Sequence, residues 1–204
     1  MIKAVIFDLD GVIVDSEPLH KITENKLLEE LGLKEVEHPT GIRFEDILKK
    51  ASTKNGINID IKTVMDRKFD IMAESVESIK PIANSIRLIN SLSGVKLAIA
   101  SGSTKNWIDL CLRKFDLGKK FEVVVTSEDI KNAKPDPEPY LLASKKLGIN
   151  PSDCIAIEDS STGVKSAKSA GMKCIGYISP HSHNQNLNAA DHVVKDLMDA
   201  KRFL

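Results

Sequence analysis

Short apolar runs of strand length recur along the chain, one near its start and five from residue 96 onwards. Most of them are almost uninterrupted by polar residues, which is typical of parallel strands that helices cover on both faces. We predict a β-strand at each run. The runs lie at residues 4–7, 96–100, 123–126, 154–157 and 173–177, with a weaker one at 192–194.

Helical patterns separate these runs. After Ser103, apolar residues recur every three or four positions, and residues 140–147 and 163–170 show the same spacing. The last two segments are each followed by a glycine, Gly148 or Gly171, and glycine commonly ends a helix. The alternation of strands and helices predicts an α/β fold with a doubly wound, mostly parallel (Rossmann-like) sheet and right-handed crossovers.

Residues 15–80 interrupt this alternation. They show no convincing strand pattern, but apolar residues at helical spacing form three separate faces. We therefore predict that residues 15–80 form a small, all-helical cap domain inserted after the first strand. Residues 1–14 and 81–204 would then form the core, with Pro81 near the return of the chain to it.

The charge and the cysteine content exclude several classes of partner. The 29 basic residues balance the 29 acidic ones, so no overall field attracts nucleic acid or an anionic membrane. No apolar run approaches the roughly 20 residues of a membrane helix, and the first residues do not resemble a signal peptide. The three cysteines lie in apolar segments, as expected of buried thiols in a reducing compartment. We expect a cytoplasmic protein without a nucleic-acid, membrane or obligate protein partner.

Polar residues follow four of the predicted strands directly or after a short loop. In open α/β sheets, ligands bind beyond the carboxyl ends of the strands, where the connecting loops converge. Carboxylates, a hydroxyl and an ammonium group should therefore meet at one edge of the sheet. They belong to Asp8, Asp10, Ser101, Lys134, Glu158 and Asp159.

This set of groups suits phosphoryl transfer. Mg²⁺ prefers oxygen ligands, and Asp8 and Asp159 form the natural carboxylate pair for it. With the metal ion and Lys134 neutralising a phosphate, the Asp8 carboxylate can attack phosphorus and form an aspartyl-phosphate. Asp10 would protonate the leaving group and later activate water, while Ser101 would donate to a phosphoryl oxygen.

Each of these residues also has a purely structural explanation. Asp10-Gly11 between apolar runs is a strong hairpin signal, so Asp10 alone is better explained as a turn residue. Ser101 and Asp159 could cap the helices that follow them, and Lys134 could be a solvated loop lysine. Their joint placement at four successive strand ends favours the catalytic interpretation.

Four segments, in this order, resemble the motifs of the haloacid dehalogenase-like hydrolase superfamily. The resemblance is to the branch that contains β-phosphoglucomutase and the sugar-phosphate and phosphoglycolate phosphatases, and it spans essentially the whole chain. The segments are Phe7-Asp8-Leu9-Asp10-Gly11-Val12-Ile13-Val14-Asp15-Ser16-Glu17-Pro18, Ala100-Ser101-Gly102-Ser103, Lys134-Pro135-Asp136-Pro137, and Ile157-Glu158-Asp159-Ser160-Ser161-Thr162-Gly163 with Ala170-Gly171-Met172 after it.

The resemblance implies a role for each matching residue. Asp8 would be the nucleophile and a metal ligand, and Asp10 the acid and base, with its carbonyl also on the metal. Ser101 and Lys134 would bind and orient the phosphate. Asp159 would be a metal ligand, and Glu158 a ligand or a partner of one. A small phosphorylated metabolite would be the substrate, contacted by Gly11, His20, Arg43, Lys68, Gly102 and Ser103.

The cap decides between a phosphatase and a mutase. His20 and Lys68 lie where the mutase-like cap has polar residues, and residues 40–46 resemble its substrate loop. However, the mutase loop has an arginine where this chain has Phe44, and Arg43 comes one place early. At a helix start, this shift turns a side chain by about 100°. A phosphatase is therefore the leading interpretation, and a β-phosphoglucomutase-like mutase is the alternative. A phospho-acceptor signalling module is a remote third interpretation, because such modules have neither the second acid nor the cap that this sequence indicates.

Overall fold

A parallel sheet of six strands lies at the centre of the computed structural model, which describes residues 1–33, 36, 42–181 and 185–204. Its strand order is β5-β4-β1-β6-β7-β8, and two further strands, β2 and β3, form a separate antiparallel pair. The predicted fold class is confirmed. The strands are β1 Ala4–Phe7, β2 Val14–Asp15, β3 Lys80–Pro81, β4 Lys96–Ala100, β5 Val123–Val125, β6 Cys154–Glu158, β7 Lys173–Tyr177 and β8 His192–Val194.

The strand predictions hold to within one residue at each end. Strand β5 stops at Val125 rather than at residue 126, and strand β6 continues to Glu158 rather than ending at residue 157. The described helices are α1 Glu17–Glu30, α2 Phe44–Asn55, α3 Ile61–Glu74, α4 Ser85–Ser91, α5 Lys105–Lys114, α6 Glu138–Leu147 and α7 Ser161–Ser169.

The residues of β1 alternate between two apolar layers, which explains why the strand is apolar throughout. Ala4 and Ile6 belong to a buried cluster with residues of α6 and α7, while Val5 and Phe7 belong to one with residues of α4 and α5. All four side chains are at most 1% exposed. Helices therefore cover both faces of the sheet, as a doubly wound fold requires.

Helices α1, α2 and α3 form a third, smaller apolar cluster. It includes Leu27 and Leu28 of α1 together with Phe44 and Leu48 of α2. Each of these side chains is at most 3% exposed, and burying one contributes about 1.5–3 kcal/mol. The insertion therefore has its own core. The boundaries of this cap domain with the core, at residues 15 and 80, stay a prediction.

One expectation about the ends of the insertion is wrong. Residues 15–80 do carry strand structure at their limits, because Asp15 pairs with Lys80 and Val14 with Pro81 in the β2–β3 pair. Gly11 does lie in a turn, as the Asp10-Gly11 signal indicated, but the strands on either side of this turn do not pair with each other, since β1 pairs with β4 and β6 and β2 pairs with β3. The carbonyl of Leu9 accepts three backbone hydrogen bonds, from residues 12, 13 and 14, which fold this stretch into a compact turn.

The three cysteines, Cys111, Cys154 and Cys174, are buried and free, as their apolar contexts predicted. Burial raises the pKa of Cys154 to about 11, so this thiol is almost entirely protonated at neutral pH. Within the described ranges, none of the helices combines the length and the apolar character that a membrane span needs.

Candidate active site

The topology brings three of the predicted strand ends side by side. In the sheet, β1 lies between β4 and β6, so the residues that follow these three strands are neighbours. Asp8 follows β1, Ser101 follows β4, and Asp159 follows Glu158, the last residue of β6. Lys134 arrives from the loop between β5 and α6. Its distances to Asp8 and Glu158 show that it reaches the same edge.

The Lys134 ammonium group connects these strand ends. Its Nζ donates to Asp8 Oδ1 at 2.6 Å, to the Ala100 carbonyl at 2.9 Å and to Glu158 Oε1 at 2.5 Å. Three acceptors match its three protons. Burial alone lowers the pKa of Lys134, but the carboxylates of Asp8 and Glu158 outweigh it and raise that pKa above its ordinary value. Lys134 is therefore a fixed positive charge.

The Glu158 carboxylate is fully buried and well provided with donors. Besides Lys134, it accepts from the Tyr140 hydroxyl at 2.8 Å and from the Ser160 hydroxyl at 3.0 Å. The backbone amides of Asp159 and Ser160 lie at 3.1 and 3.2 Å from Oε2. A Cβ on Gly163 would lie 1.9 Å from this carboxylate, so only glycine fits there. In this arrangement, Glu158 holds Lys134 in place.

The carboxylates of Asp8, Glu158 and Asp159 form an acidic cluster. One oxygen of each lies within 4.8 Å of the others. Burial raises the pKa of Asp8 to about 7 against the opposing effect of Lys134, with Glu158 adding to the increase. Burial also raises the pKa of Asp159 well above its ordinary value, as do Glu158 and Asp8. Three crowded acids beside one lysine are the oxygen donor set that a divalent cation would neutralise, so the residues fit Mg²⁺.

Gly11 lies directly against Asp159. Its φ is +83°, and a Cβ at this position would be 2.1 Å from Asp159 Oδ2. Ser179 donates to the same oxygen at 2.9 Å. Gly11 therefore makes room for the Asp159 carboxylate, and its assignment as a substrate-binding residue stays a prediction.

Four side chains donate to the Asp10 carboxylate. Ser16 donates to Oδ1 at 2.5 Å, and Trp107 Nε1 to the same oxygen at 3.0 Å. His20 Nε2 lies 3.2 Å from Oδ1, and Ser103 donates to Oδ2 at 2.6 Å. Burial raises the pKa of Asp10, but His20 and the two hydroxyls outweigh it and hold that pKa below its usual range. Asp10 is thus ionised in this arrangement.

His20 is the proton-carrying partner of Asp10. Burial and Lys68 lower the pKa of His20, whereas the Asp10 carboxylate and Glu24 raise it, and the net result is a pKa above the ordinary value. Its ring also packs edge-on against Trp107, with 5.7 Å between centroids. The His20–Asp10 pair therefore holds one proton between a ring nitrogen and a carboxylate oxygen.

These groups face a cavity of about 180 Å³ between the insertion and the sheet edge. Of the predicted site residues, all but Gly11 and Glu158 line it. His20, Arg43 and Lys68 contribute from the insertion, and Ser101, Gly102 and Ser103 from the loop after β4. Thr40 and Gly41 of the predicted substrate loop lie outside the described residues.

Some residues of the site were not predicted from the sequence. Ser16 lies within a matching segment but received no role, although a hydroxyl six residues after Asp10 could have suggested one. Trp107 is 3% exposed, and only its indole nitrogen distinguishes it from an ordinary core residue. Tyr140 and Ser179 carried no signal, because their partners are distant in sequence.

The fold and the site define an α/β enzyme in which an acidic cluster and a buried lysine face a cavity beneath a helical insertion. The sequence matches the model of the haloacid dehalogenase-like hydrolases over residues 5–177. The chain belongs to this family, which confirms the resemblance drawn from its motifs. The match also favours an enzyme over a phospho-acceptor signalling module.

Relatives of this chain include phosphatases and a mutase. It is 32% identical to a phosphorylated carbohydrates phosphatase of Thermotoga maritima over 89% of this chain and 87% of that protein. It is 30% identical to hexitol phosphatase B of Escherichia coli over 90% and 86% of the two chains. The crystal structure of β-phosphoglucomutase from Clostridium difficile superposes with a TM-score of 0.82 at 29% identity, covering 96% of this chain and 92% of that one.

Proposed function

We propose that this chain is a Mg²⁺-dependent phosphatase that hydrolyses a small phosphate monoester, such as a sugar phosphate, through an aspartyl-phosphate at Asp8. The observation that carries the proposal is the position of Asp8. Its carboxylate lines the cavity and accepts a hydrogen bond from Lys134 at 2.6 Å, close to Asp159. A carboxylate held beside fixed positive charge can approach an anionic phosphoryl group without prohibitive repulsion.

Asp8, Asp159 and the carbonyl of Asp10 are the groups that would hold Mg²⁺. Bound there, the ion supplies positive charge for the phosphoryl oxygens. Glu158 would contribute as a further ligand or by holding Lys134. The crowding of three carboxylates, with one oxygen of each within 4.8 Å of the others, supports this assignment, because they carry more negative charge than the Lys134 ammonium group alone can balance.

In the first half-reaction, an Asp8 oxygen forms a bond to phosphorus while the bond between phosphorus and the leaving oxygen breaks. The proton that His20 Nε2 holds 3.2 Å from Asp10 Oδ1 passes through Asp10 to that leaving oxygen, which leaves Asp10 a carboxylate and His20 neutral. Ser101 and Lys134 orient the phosphoryl oxygens. The residues of the insertion that line the cavity contact the leaving group.

In the second half-reaction, water attacks phosphorus and the bond to the Asp8 oxygen breaks, which releases inorganic phosphate. Asp10 takes the proton from the attacking water. Its lowered pKa suits this step, because the residue must be a carboxylate when water enters. The same group thus acts first as an acid and then as a base.

A substrate panel tests the proposal. We expect the purified protein to release phosphate from at least one sugar or polyol phosphate in the presence of Mg²⁺, and to stop when the metal is chelated. Asp8→Asn should abolish turnover while the fold, checked by circular dichroism, stays intact. Asp10→Asn should slow it by roughly 10²–10⁴-fold, the range of general acid–base catalysis. Absence of phosphate release across the panel, or near-normal turnover in Asp8→Asn, would contradict the proposal.

A β-phosphoglucomutase-like mutase is the second candidate. His20 and Lys68 line the cavity, and the solved mutase structure is similar over most of the chain. Against it, Phe44 stands where the mutase loop has an arginine, and Arg43 is paired with Asp46. Interconversion of sugar phosphates that depends on a bisphosphate activator and releases little phosphate would favour the mutase.

A further inference from the structure

A line of four alternating charges runs across the cavity from α3 to Asp10. It begins at Lys68 of α3, whose Nζ donates to Glu24 Oε1 of α1 at 2.5 Å. The same glutamate oxygen lies 3.8 Å from His20 Nδ1. His20 Nε2 in turn lies 3.2 Å from Asp10 Oδ1. All four residues line the cavity, and the proposed mechanism uses His20 and Asp10 but gives Glu24 no role.

Glu24 is a largely buried carboxylate with a fixed position. Its side chain is 14% exposed. Burial alone raises the pKa of Glu24, but His20 and Lys68 outweigh it and lower that pKa to about 2, so the residue is ionised at neutral pH. A carboxylate removed from water is costly unless it is paired with a positive charge. Glu24 is therefore held between Lys68 and His20.

The His20 ring is restricted on three sides. Glu24 lies four residues later on the same face of α1 and stands beside Nδ1, at the distance of an ion pair rather than of a direct hydrogen bond. Asp10 stands beside Nε2, and the ring packs edge-on against Trp107. A half-turn of the ring would place carbon atoms, instead of nitrogens, at both carboxylates. Glu24 therefore favours the orientation in which Nε2 faces Asp10.

Glu24 also affects which ring nitrogen keeps a proton when His20 is neutral. The two nitrogens are distinct, and the group beside one of them determines where the proton lies. A carboxylate beside Nδ1 stabilises the neutral form that is protonated on Nδ1, which is the form that remains once Nε2 has given up its proton. The Nε2 lone pair then faces Asp10. When Asp10 later takes a proton from the attacking water, Nε2 can accept that proton and the cycle closes.

We propose that Glu24 is a positioning residue for proton transfer, which holds the His20 ring with Nε2 on Asp10 and is itself fixed by Lys68. The inference rests on the phosphatase function proposed above and deepens its acid–base step. Glu24 acts through His20 and not on the reacting atoms. Its loss should therefore slow the reactions in which the leaving group needs a proton more than those in which it does not.

Two leaving groups separate this role from a structural one. The leaving oxygen of an alkyl phosphate must be protonated, whereas acetyl phosphate releases acetate, which is stable as an anion. The value of kcat/KM covers the steps up to release of the leaving group, so it includes this protonation but not the later attack of water. We expect Glu24→Gln to lower the ratio of kcat/KM for the best alkyl phosphate of the panel to that for acetyl phosphate by about tenfold or more, because small misplacements of a catalytic group are costly.

Glu30→Gln is the matched control. Glu30 also lies on α1 and pairs with α3, since Arg67 Nε donates to Glu30 Oε2 at 3.0 Å, but this exposed pair does not line the cavity. The control should keep the wild-type ratio of the two substrates.

A double variant shows whether Glu24 acts through His20. His20→Asn should lower the ratio by itself, because asparagine cannot supply the proton. Adding Glu24→Gln to His20→Asn should then lower the ratio no further, as expected of two residues that act as a unit.

Glu24→Asp provides a second test that keeps a negative charge for the buried Lys68. Aspartate is one methylene group shorter than glutamate, so its carboxylate cannot keep its present distances to both Lys68 and His20. The ratio should fall in this variant too, by a smaller factor than in Glu24→Gln. Circular dichroism and thermal melting check that each variant is folded.

The outcomes separate this inference from the phosphatase proposal. Failure of the wild-type protein to hydrolyse any compound of the panel would contradict both. Hydrolysis by the wild-type protein with an unchanged ratio in folded Glu24→Gln or Glu24→Asp would contradict the role of Glu24 alone. An equal fall in Glu30→Gln, or a further fall when Glu24→Gln is added to His20→Asn, would overturn it as well.

Discussion

Asp10 shows at the scale of single residues how the environment of a catalytic candidate is built. Its donors come from three places: Ser16 and His20 at the start of the insertion, Ser103 after β4, and Trp107 within α5. The indole N–H has a fixed direction, whereas hydroxyl protons can rotate to other partners. Trp107 is therefore the donor that we expect to fix the direction of the Asp10 carboxylate.

Replacing Trp107 with phenylalanine tests this role. Phenylalanine keeps most of the apolar volume but removes the N–H that donates to Asp10 Oδ1 at 3.0 Å. We expect kcat to fall about tenfold, which is the order of one hydrogen bond to a charged group, while KM changes little. Steady-state kinetics on the best substrate of the panel, with thermal melting as a check of folding, provides the measurement.

A role in packing alone would give a different result. If Trp107→Phe lowered the melting temperature but kept the kcat of the folded protein, Trp107 would be an ordinary core residue. A rise in KM without a change in kcat would place the indole on the substrate rather than on Asp10.

The sequence could predict which polar residues gather here, but not how they pair. Asp8, Ser101, Lys134 and Asp159 were found because strand ends in an open sheet converge. The Trp107–Asp10 contact joins residues 97 positions apart, and a tryptophan on an apolar helical stripe usually belongs to the core.

At the scale of elements, the start of α7 and the end of β6 are fitted to each other. Ser160 caps the helix by accepting from the Gly163 amide at 3.0 Å, and it also donates to Glu158. The helix can approach this closely only because Gly163 has no side chain. The first turn of α7 thereby fixes Glu158, and Glu158 fixes Lys134.

Adding a methyl group at Gly163 should disturb this sequence of contacts. In Gly163→Ala, the new Cβ would lie 1.9 Å from the Glu158 carboxylate, so the helix or the glutamate must move. We expect a loss of about 1–3 kcal/mol in the free energy of unfolding, as for other overpacked sites, and a clear drop in kcat. Urea denaturation and kinetics measure the two effects.

Gly118→Ala is the matched control for this variant. A Cβ at Gly118 meets no atom within 4 Å, and the glycine is exposed. Its stability and kcat should therefore stay close to those of the unmodified protein. Equal behaviour of the two variants would contradict the proposed fit between α7 and Glu158.

The long elements were predictable and the short ones were not. The strands of the main sheet have four or five consecutive apolar residues in most cases, enough for a pattern to be recognised. The β2–β3 pair has two residues in each strand and joins positions 65 and 67 apart, so periodicity could not reveal it. Helix α3 ends at Glu74 and a short 3₁₀ turn follows at Val76–Ser78, although the apolar spacing of the third helical face continues to Ile79.

At the scale of the whole molecule, the insertion and the sheet together form the cavity. Met72, Val76 and Ile79 at the end of the insertion pack into the main core, while α1 and α2 hold a cluster of their own. The sequence indicated both the insertion and the sheet, because each has its own apolar periodicity. It could not show which side chains of the insertion face Asp8, since their directions depend on how the insertion packs against the sheet.

The central claim is that Asp8 accepts the phosphoryl group during turnover. The most direct measurement mixes the enzyme rapidly with its best substrate and Mg²⁺, quenches with acid, and determines by mass spectrometry which peptide carries a phosphoryl group. We predict that the peptide containing Asp8 becomes phosphorylated before phosphate is released and loses the group as turnover ends, and that Asp8→Asn shows neither event. Phosphate release without modification of Asp8, or modification at another residue, would contradict this claim.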